Sequence, residues 1–137
     1  MYKLKLSLPY QNYKVLKSYI ENRYFFVRYK EDQTKLLPKS GAPQGSVLGP
    51  TLYLIYTADL PTTYLTTTAT FADDTAIMSS HYNPVTASQN FQLKLDSIEI
   101  WLKKWRIKVN ETKSTHVTFT TRRETCPPVS VNNIHLT

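Results

Sequence analysis

This sequence of 137 residues is poor in the groups that build covalent or sulfur-held frameworks, since it has one cysteine, Cys126. An internal disulfide needs two, and a sulfur-rich metal cluster needs more, so both are excluded and a reducing compartment is the natural setting, with no redox role suggested. Uninterrupted apolar runs are also short. None approaches the length of a membrane span, and the opening MYKLKLSLPY lacks the apolar centre of a signal peptide. The chain therefore reads as soluble, intracellular and without membrane contact. Acids are outnumbered, 10 against 17 Lys and Arg, for a net charge of +7. Such a surplus favours polyanionic partners, nucleic acid or anionic lipid, although it also fits a merely soluble surface. Glycine is scarce as well: there are three, all between Gly41 and Gly49. Repeats and low-complexity tracts are missing, and the length suits one domain or part of one.

What is present alternates between helical and strand-like signals, which predicts a mixed α+β domain. After Pro9, the positions Tyr13, Leu16 and Ile20 step at helical spacing to about Asn22. YFFVRYK (24–30) and TKLLPK (34–39) are strand-like runs, and Glu31, Asp32 and Gln33 between them predict a hairpin turn. Next comes SGAPQGSVLGP (40–50), which holds the whole glycine supply. Glycine allows positive φ and lets a ligand approach where a Cβ would collide, so this loop is either an ordinary turn or a surface facing something bulky. Leu48, Leu52 and Ile55 then predict a helix stopped by Pro61, and a loop feeding a helix N-terminus is favourable to anions.

The stretch TATFADDTAIMSS (68–80) sets Asp73 and Asp74 side by side between two strand-like runs, so both are expected in the turn of a hairpin. Aspartate suits a turn for structural reasons alone, because it tolerates left-handed backbone and bonds to its own main chain. Yet adjacent carboxylates repel unless a cation lies between them. Carboxylates with waters and phosphates are what Mg²⁺ prefers, and two such ions can clamp the attacking and leaving oxygens of a phosphoryl transfer.

From Asn83, the expected N-cap, and Pro84 at the first helical position, a stripe of Phe91, Leu95, Ile98, Leu102, Trp105 and Val109 predicts a long amphipathic helix. Phe91, Trp101 and Trp105 read as core rather than as base-stacking platforms, and Glu99 and Lys103 form an i,i+4 pair on the opposite face. In NETKSTHVTFTTRR (110–123), Val117 and Phe119 alternate as in a strand, and CPPVSVNN (126–133) reads as loop. Lys113, taken singly, is an ordinary surface lysine.

As an ordered set, PQGSVLGP (43–50), a helix, FADD (71–74), a long helix and NETKS (110–114) resemble the reverse transcriptases of non-LTR retrotransposons, the jockey-like mobile elements above all. The likeness spans nearly the whole chain. It implies a fragment of the palm of a right-hand polymerase: a small antiparallel sheet carrying the Asp-Asp hairpin, backed by helices. The implied layout is a helix and hairpin on the fingers side over residues 1–39, the palm motifs over 40–125, and a tail towards a primer grip over 126–137. By the same resemblance Asp73 is the principal ligand of catalytic Mg²⁺ and Asp74 supports it. Pro43, Gln44, Gly45 and Ser46 lie where the family meets template and incoming nucleotide, and Lys113 matches a lysine that protonates the leaving pyrophosphate. RNA template, DNA primer and deoxynucleoside triphosphates are the implied partners, and an active element works in the nucleus. Two-metal transfer needs a further carboxylate, which in this family comes from a strand upstream in a motif like F-D-x-V. Glu21, Glu31 and Asp32 are the only acids ahead of the glycine loop, and none lies in such a context. That ligand and the thumb are therefore expected outside this chain, which alone is expected to be inactive. The alternative from another class is a catalytically dead remnant of a mobile element, at most a basic module that binds nucleic acid.

Overall fold

The computed structural model describes residues 1–36, 45–121 and 123–136. It divides into two compact units, Met1–Asp59 and Leu60–Thr137.

In the first unit, a short helix not foreshadowed by periodicity, α1 (Tyr2–Ser7), precedes α2 (Tyr10–Ile20). The break falls where proline demands it: Leu8, ahead of Pro9, is extended at φ −127° and ψ 148°, a conformation that the following ring enforces. A third helix, α3 (Leu48–Thr57), packs against α1. Leu4 and Leu52 are buried there, and Lys3, 7% exposed, places its ammonium 2.5 Å from the Asp59 carboxylate while also donating to the Tyr56 carbonyl. The lysine stem covers apolar surface while its head is neutralised at the helix end.

Between α2 and α3 lie β1 (Phe25–Tyr29) and β2 (Asp32–Leu36), antiparallel with Tyr29 opposite Asp32. The expected hairpin is present, but its turn is Lys30 and Glu31, not residues 31–33. Lys30 takes φ 54°, which lets two residues reverse the chain, so Asp32 is drawn into the ladder. Residues 37–39 of the expected second strand lie outside the described residues.

The second unit starts with β3 (Thr67–Phe71) and β4 (Asp74–Met78), an antiparallel hairpin, followed by the long helix α4 (Pro84–Trp105). Asn83 caps α4 as expected, its side-chain oxygen accepting from the N–H groups of Val85 at 2.9 Å and Thr86 at 3.3 Å. Arg106 ends the helix in left-handed geometry at φ 55°, its N–H returning to the Leu102 and Lys103 carbonyls. Val109 thus lies beyond the helix, yet it still packs on the core.

That core gathers Leu95 of α4 with Val129, Val131 and Leu136, and Ile77, Phe91 and Val109 pack around it. Trp101 is also buried. Three of the four central side chains come from the C-terminal segment, where β5 (Ser130–Val131) and β6 (Ile134–His135) form a tight hairpin around Asn132 and Asn133. Both asparagines have positive φ, 50° and 64°, as a type I′ turn requires. The loop-like reading of 126–133 is therefore corrected. So is the strand expected over 110–123: a 3-10 turn, Glu111–Lys113, leads into irregular backbone, with Val117 61% and Phe119 93% exposed. Alternation makes a strand only where another edge pairs with it, and 114–120 pairs with none among the described residues.

What fastens the C-terminal hairpin to α4 is a polar row at helical spacing. The Ser88 hydroxyl donates to the Pro127 carbonyl at 2.9 Å. Gln92 donates to the Ser130 carbonyl at 3.0 Å and accepts from its N–H at 2.9 Å, acting like one rung of a ladder. Glu99 accepts from the Asn132 N–H at 2.6 Å while pairing with Lys103 at 3.4 Å, so the expected i,i+4 pair exists, but its glutamate turns inward to the hairpin. No helix among the described residues is long and apolar enough to cross a membrane.

Candidate functional site

The β3–β4 hairpin is built from what its sequence favours: Thr67, Thr68, Thr70 and Phe71 on one arm, Thr75 and Ile77 on the other, β-branched or aromatic side chains that suit a pleated surface. Phe71 pairs with Asp74, so the turn has two residues, Ala72 and Asp73. The structure thus corrects one expectation. Asp73 sits in the turn, whereas Asp74 is the first residue of β4. The reversal is carried by Ala72 at φ 49°, a conformation that costs a residue with a Cβ about 1–2 kcal/mol. Strain of this kind persists only where the surroundings fix it. Ile77, three residues along β4, anchors the same hairpin by packing against the cluster of Leu95, Val129, Val131 and Leu136.

Both carboxylates at this tip are exposed, as is Phe71, 84% accessible beside them. Neither makes a hydrogen bond or ion pair among the described residues. Two adjacent carboxylates offer only hard oxygen donors, uncommitted to any cation among the described residues, and this donor chemistry fits a divalent ion that keeps waters or phosphates as its other ligands. No third His, Cys, Asp or Glu joins them among the described residues.

Lys113 lies at the end of the 3-10 turn, exposed. The turn is held from both sides. Its backbone closes through Lys113 N–H to Asn110 and Ser114 N–H to Glu111, each 3.2 Å, and Asn132 donates from its side chain to the Glu111 carboxylate at 2.6 Å. The Asn132 bond, followed by a backbone bond, lowers the Glu111 carboxyl below its ordinary range.

In the first unit, Pro43 and Gln44 lie outside the described residues. Gly45 has φ +73° and nothing within 4 Å of where a Cβ would stand, so its glycine is required by backbone and not by crowding. Ser46 acts locally, as a cap. Its Oγ accepts from the N–H groups of Leu48 at 3.1 Å and Gly49 at 3.2 Å at the start of α3, and receives the Tyr19 hydroxyl from α2. Of the earlier acids, Glu21 pairs with Lys17 at 3.7 Å and Asp32 stands in β2.

One buried group has no counterpart among the residues singled out from the sequence. Lys94 has no exposed surface; its ammonium donates to the Pro61 carbonyl, and burial lowers its pKa below the ordinary 10.5. The signal was its position three residues after Phe91, inside the apolar stripe of α4.

Comparison with known proteins now defines the class. Residues 3–133 match the Reverse transcriptase (RNA-dependent DNA polymerase) family, and the chain belongs to it. Within that family its likeness is to the polymerases of jockey-type mobile elements. It is 38% identical over 141 aligned residues to the RNA-directed DNA polymerase from mobile element jockey of Drosophila melanogaster, and equally to that of Drosophila funebris; 96% of this chain and 15% of each relative are covered. The probable RNA-directed DNA polymerase from transposon X-element of Drosophila melanogaster is 36% identical over the same shares. The chain thus spans about 15% of the length of these curated relatives. No solved structure matches.

Proposed function

We propose that this chain forms the catalytic hairpin and supporting helices of a reverse transcriptase palm, serving an RNA-directed DNA polymerase of a non-LTR mobile element. The observation that carries the reading is the β3–β4 tip, where a left-handed Ala72 presents Asp73 and Asp74 to solvent with no partner among the described residues. In this reading Asp73 and Asp74 would hold Mg²⁺. The ion, when bound, neutralises charge on the nucleotide phosphates and polarises the primer hydroxyl. The protein's own work is positional: Ile77 packs the hairpin on the cluster that Leu95 of α4 shares with the C-terminal segment, and both carboxylates beside the Ala72 turn stay exposed. Lys113, fixed on its 3-10 turn by the Glu111 to Asn132 bond, supplies a proton for the departing pyrophosphate. Residues 43–46 line the template and nucleotide, with Gly45 shaping that loop. RNA template, DNA primer and deoxynucleoside triphosphates are the partners, and the nucleus is the place of action. Residues 1–39 serve the fingers side, 40–125 carry the palm motifs, and 126–137 lead towards the primer grip.

Two experiments test this. Mn²⁺ added to the labelled chain is expected to broaden the amide signals around Asp73 and Asp74 first, with Asp73→Asn removing the effect; uniform broadening along the chain would refute the metal site. Exchanging the matching segment of the Drosophila melanogaster jockey polymerase for this chain is expected to retain Mg²⁺-dependent extension of a DNA primer on RNA. Asp73→Asn in that chimera is expected to reduce incorporation to background, and full activity in the variant would overturn the catalytic role.

A further inference from the structure

The β1–β2 hairpin sorts its side chains by face. Residues opposite one another in an antiparallel pair share a face, and successive residues alternate. Phe26 opposite Lys35 and Arg28 opposite Gln33 therefore stand on one side, with Tyr24 continuing that row, while Phe25, Val27 and Tyr29 stand on the other with Leu36, Thr34 and Asp32. Among the described residues the first face carries two cations, two aromatic rings and no carboxylate. The hairpin's acids are elsewhere, Glu31 in the turn and Asp32 on the opposite face. Tyr24 and Phe26 are 52% and 57% exposed, and the Lys35 ammonium lies 3.7 Å from the centre of the Tyr24 ring. That cation–π contact holds a positive charge next to Phe26 instead of letting it sweep through solvent.

We propose that this face is a platform for single-stranded RNA: a base stacks on Phe26, and the flanking phosphates meet Arg28 and Lys35. Stacking tolerates any base because every base has a π face, and interleaved cations track the backbone. A duplex offers no unstacked base to Phe26. The other face, with Phe25, Val27, Tyr29 and Leu36, carries no cation and so offers phosphates no partner. The platform rests on the polymerase reading and gives it a second surface, but uses neither metal nor carboxylates. An assay without Mg²⁺ or nucleotide therefore separates its failure from failure of the catalytic site.

The test uses the full 137-residue chain and a fluorescein-labelled oligouridylate of about 20 nucleotides, long enough to exceed a single-strand site, followed by anisotropy across a salt series. Phe26→Ala is expected to weaken binding about five-fold or more, the lower end of the range for one stacked base. Phe26→Trp is expected to retain binding and Phe26→Leu to lose it, which distinguishes a π face from mere apolar bulk should the alanine variant unfold. Arg28→Gln with Lys35→Gln is expected to flatten the salt dependence by about 0.7 per cation removed, while Lys5→Gln with Lys14→Gln, an equal loss of exposed charge, changes affinity less than two-fold. The proposal is overturned if Phe26→Leu binds like the unaltered chain, if the Lys5 and Lys14 pair matters as much as the Arg28 and Lys35 pair, or if vesicles containing phosphatidylserine displace the RNA through the same residues.

Discussion

Replacing Val129 by alanine removes two methyl groups from a side chain that is 1% exposed and packed in the cluster with Leu95, Val131 and Leu136. At about 0.8 kcal/mol for each buried methylene equivalent, the transfer loss alone is about 1.6 kcal/mol, and the cavity left behind adds to it. For a domain of this size each kcal/mol moves the midpoint by about 4–8 °C, so the transition of the second unit should fall by about 6–13 °C. Val117→Ala is the matched control: the same two methyl groups leave a side chain that is 61% exposed, and the expected change is within about 0.5 kcal/mol. Thermal unfolding followed by far-ultraviolet circular dichroism reads both, because α4 supplies a large share of the helical signal. Equal shifts for the two variants, or a larger one for Val117→Ala, would show that the C-terminal hairpin does not form the core and that the strand pattern around Val117 and Phe119 does.

Two further outcomes follow from particular contacts. Asn83→Ala should destabilise the second unit by about 1 kcal/mol by leaving the Val85 and Thr86 N–H groups without their acceptor, whereas Asn83→Asp should be close to neutral; urea midpoints of the two variants check this. Burial lowers the Lys94 pKa, so between its folded value and 10.5 the unfolded chain holds the extra proton and stability rises with pH. The penalty is fully present below the folded value and is relieved as pH climbs towards 10.5. Lys94→Met should abolish that rise, read as the difference in urea midpoint between variant and unaltered chain from pH 7 to 10; parallel curves would refute it.

The elements with strong local codes were legible in advance. Asn83, Pro84 and the stripe from Phe91 to Trp105 specify α4 from within, through cap, first turn and period. Threonine and aromatic runs flanking a short polar turn specify the β3–β4 hairpin, and the order of PQGS, FADD and NETKS pointed to the family to which the chain belongs. Two-residue turns were harder, because Lys30 and Ala72 take positive φ without being glycine or asparagine, so the reversals came one residue away from where side-chain chemistry suggested.

The sequence by itself thus determined the long capped helix, the existence of the β3–β4 hairpin and the family, because each rests on neighbours within a few residues or on the order of motifs. Tertiary structure alone decided which short apolar pieces became core. Val117 and Phe119 alternate as well as Val129 and Val131 do, but only the latter lie where Ser88, Gln92 and Glu99 can satisfy the backbone polar groups of a hairpin. Burial goes to the segment whose amides find partners, since an apolar side chain cannot enter a core while its own backbone is left without hydrogen bonds.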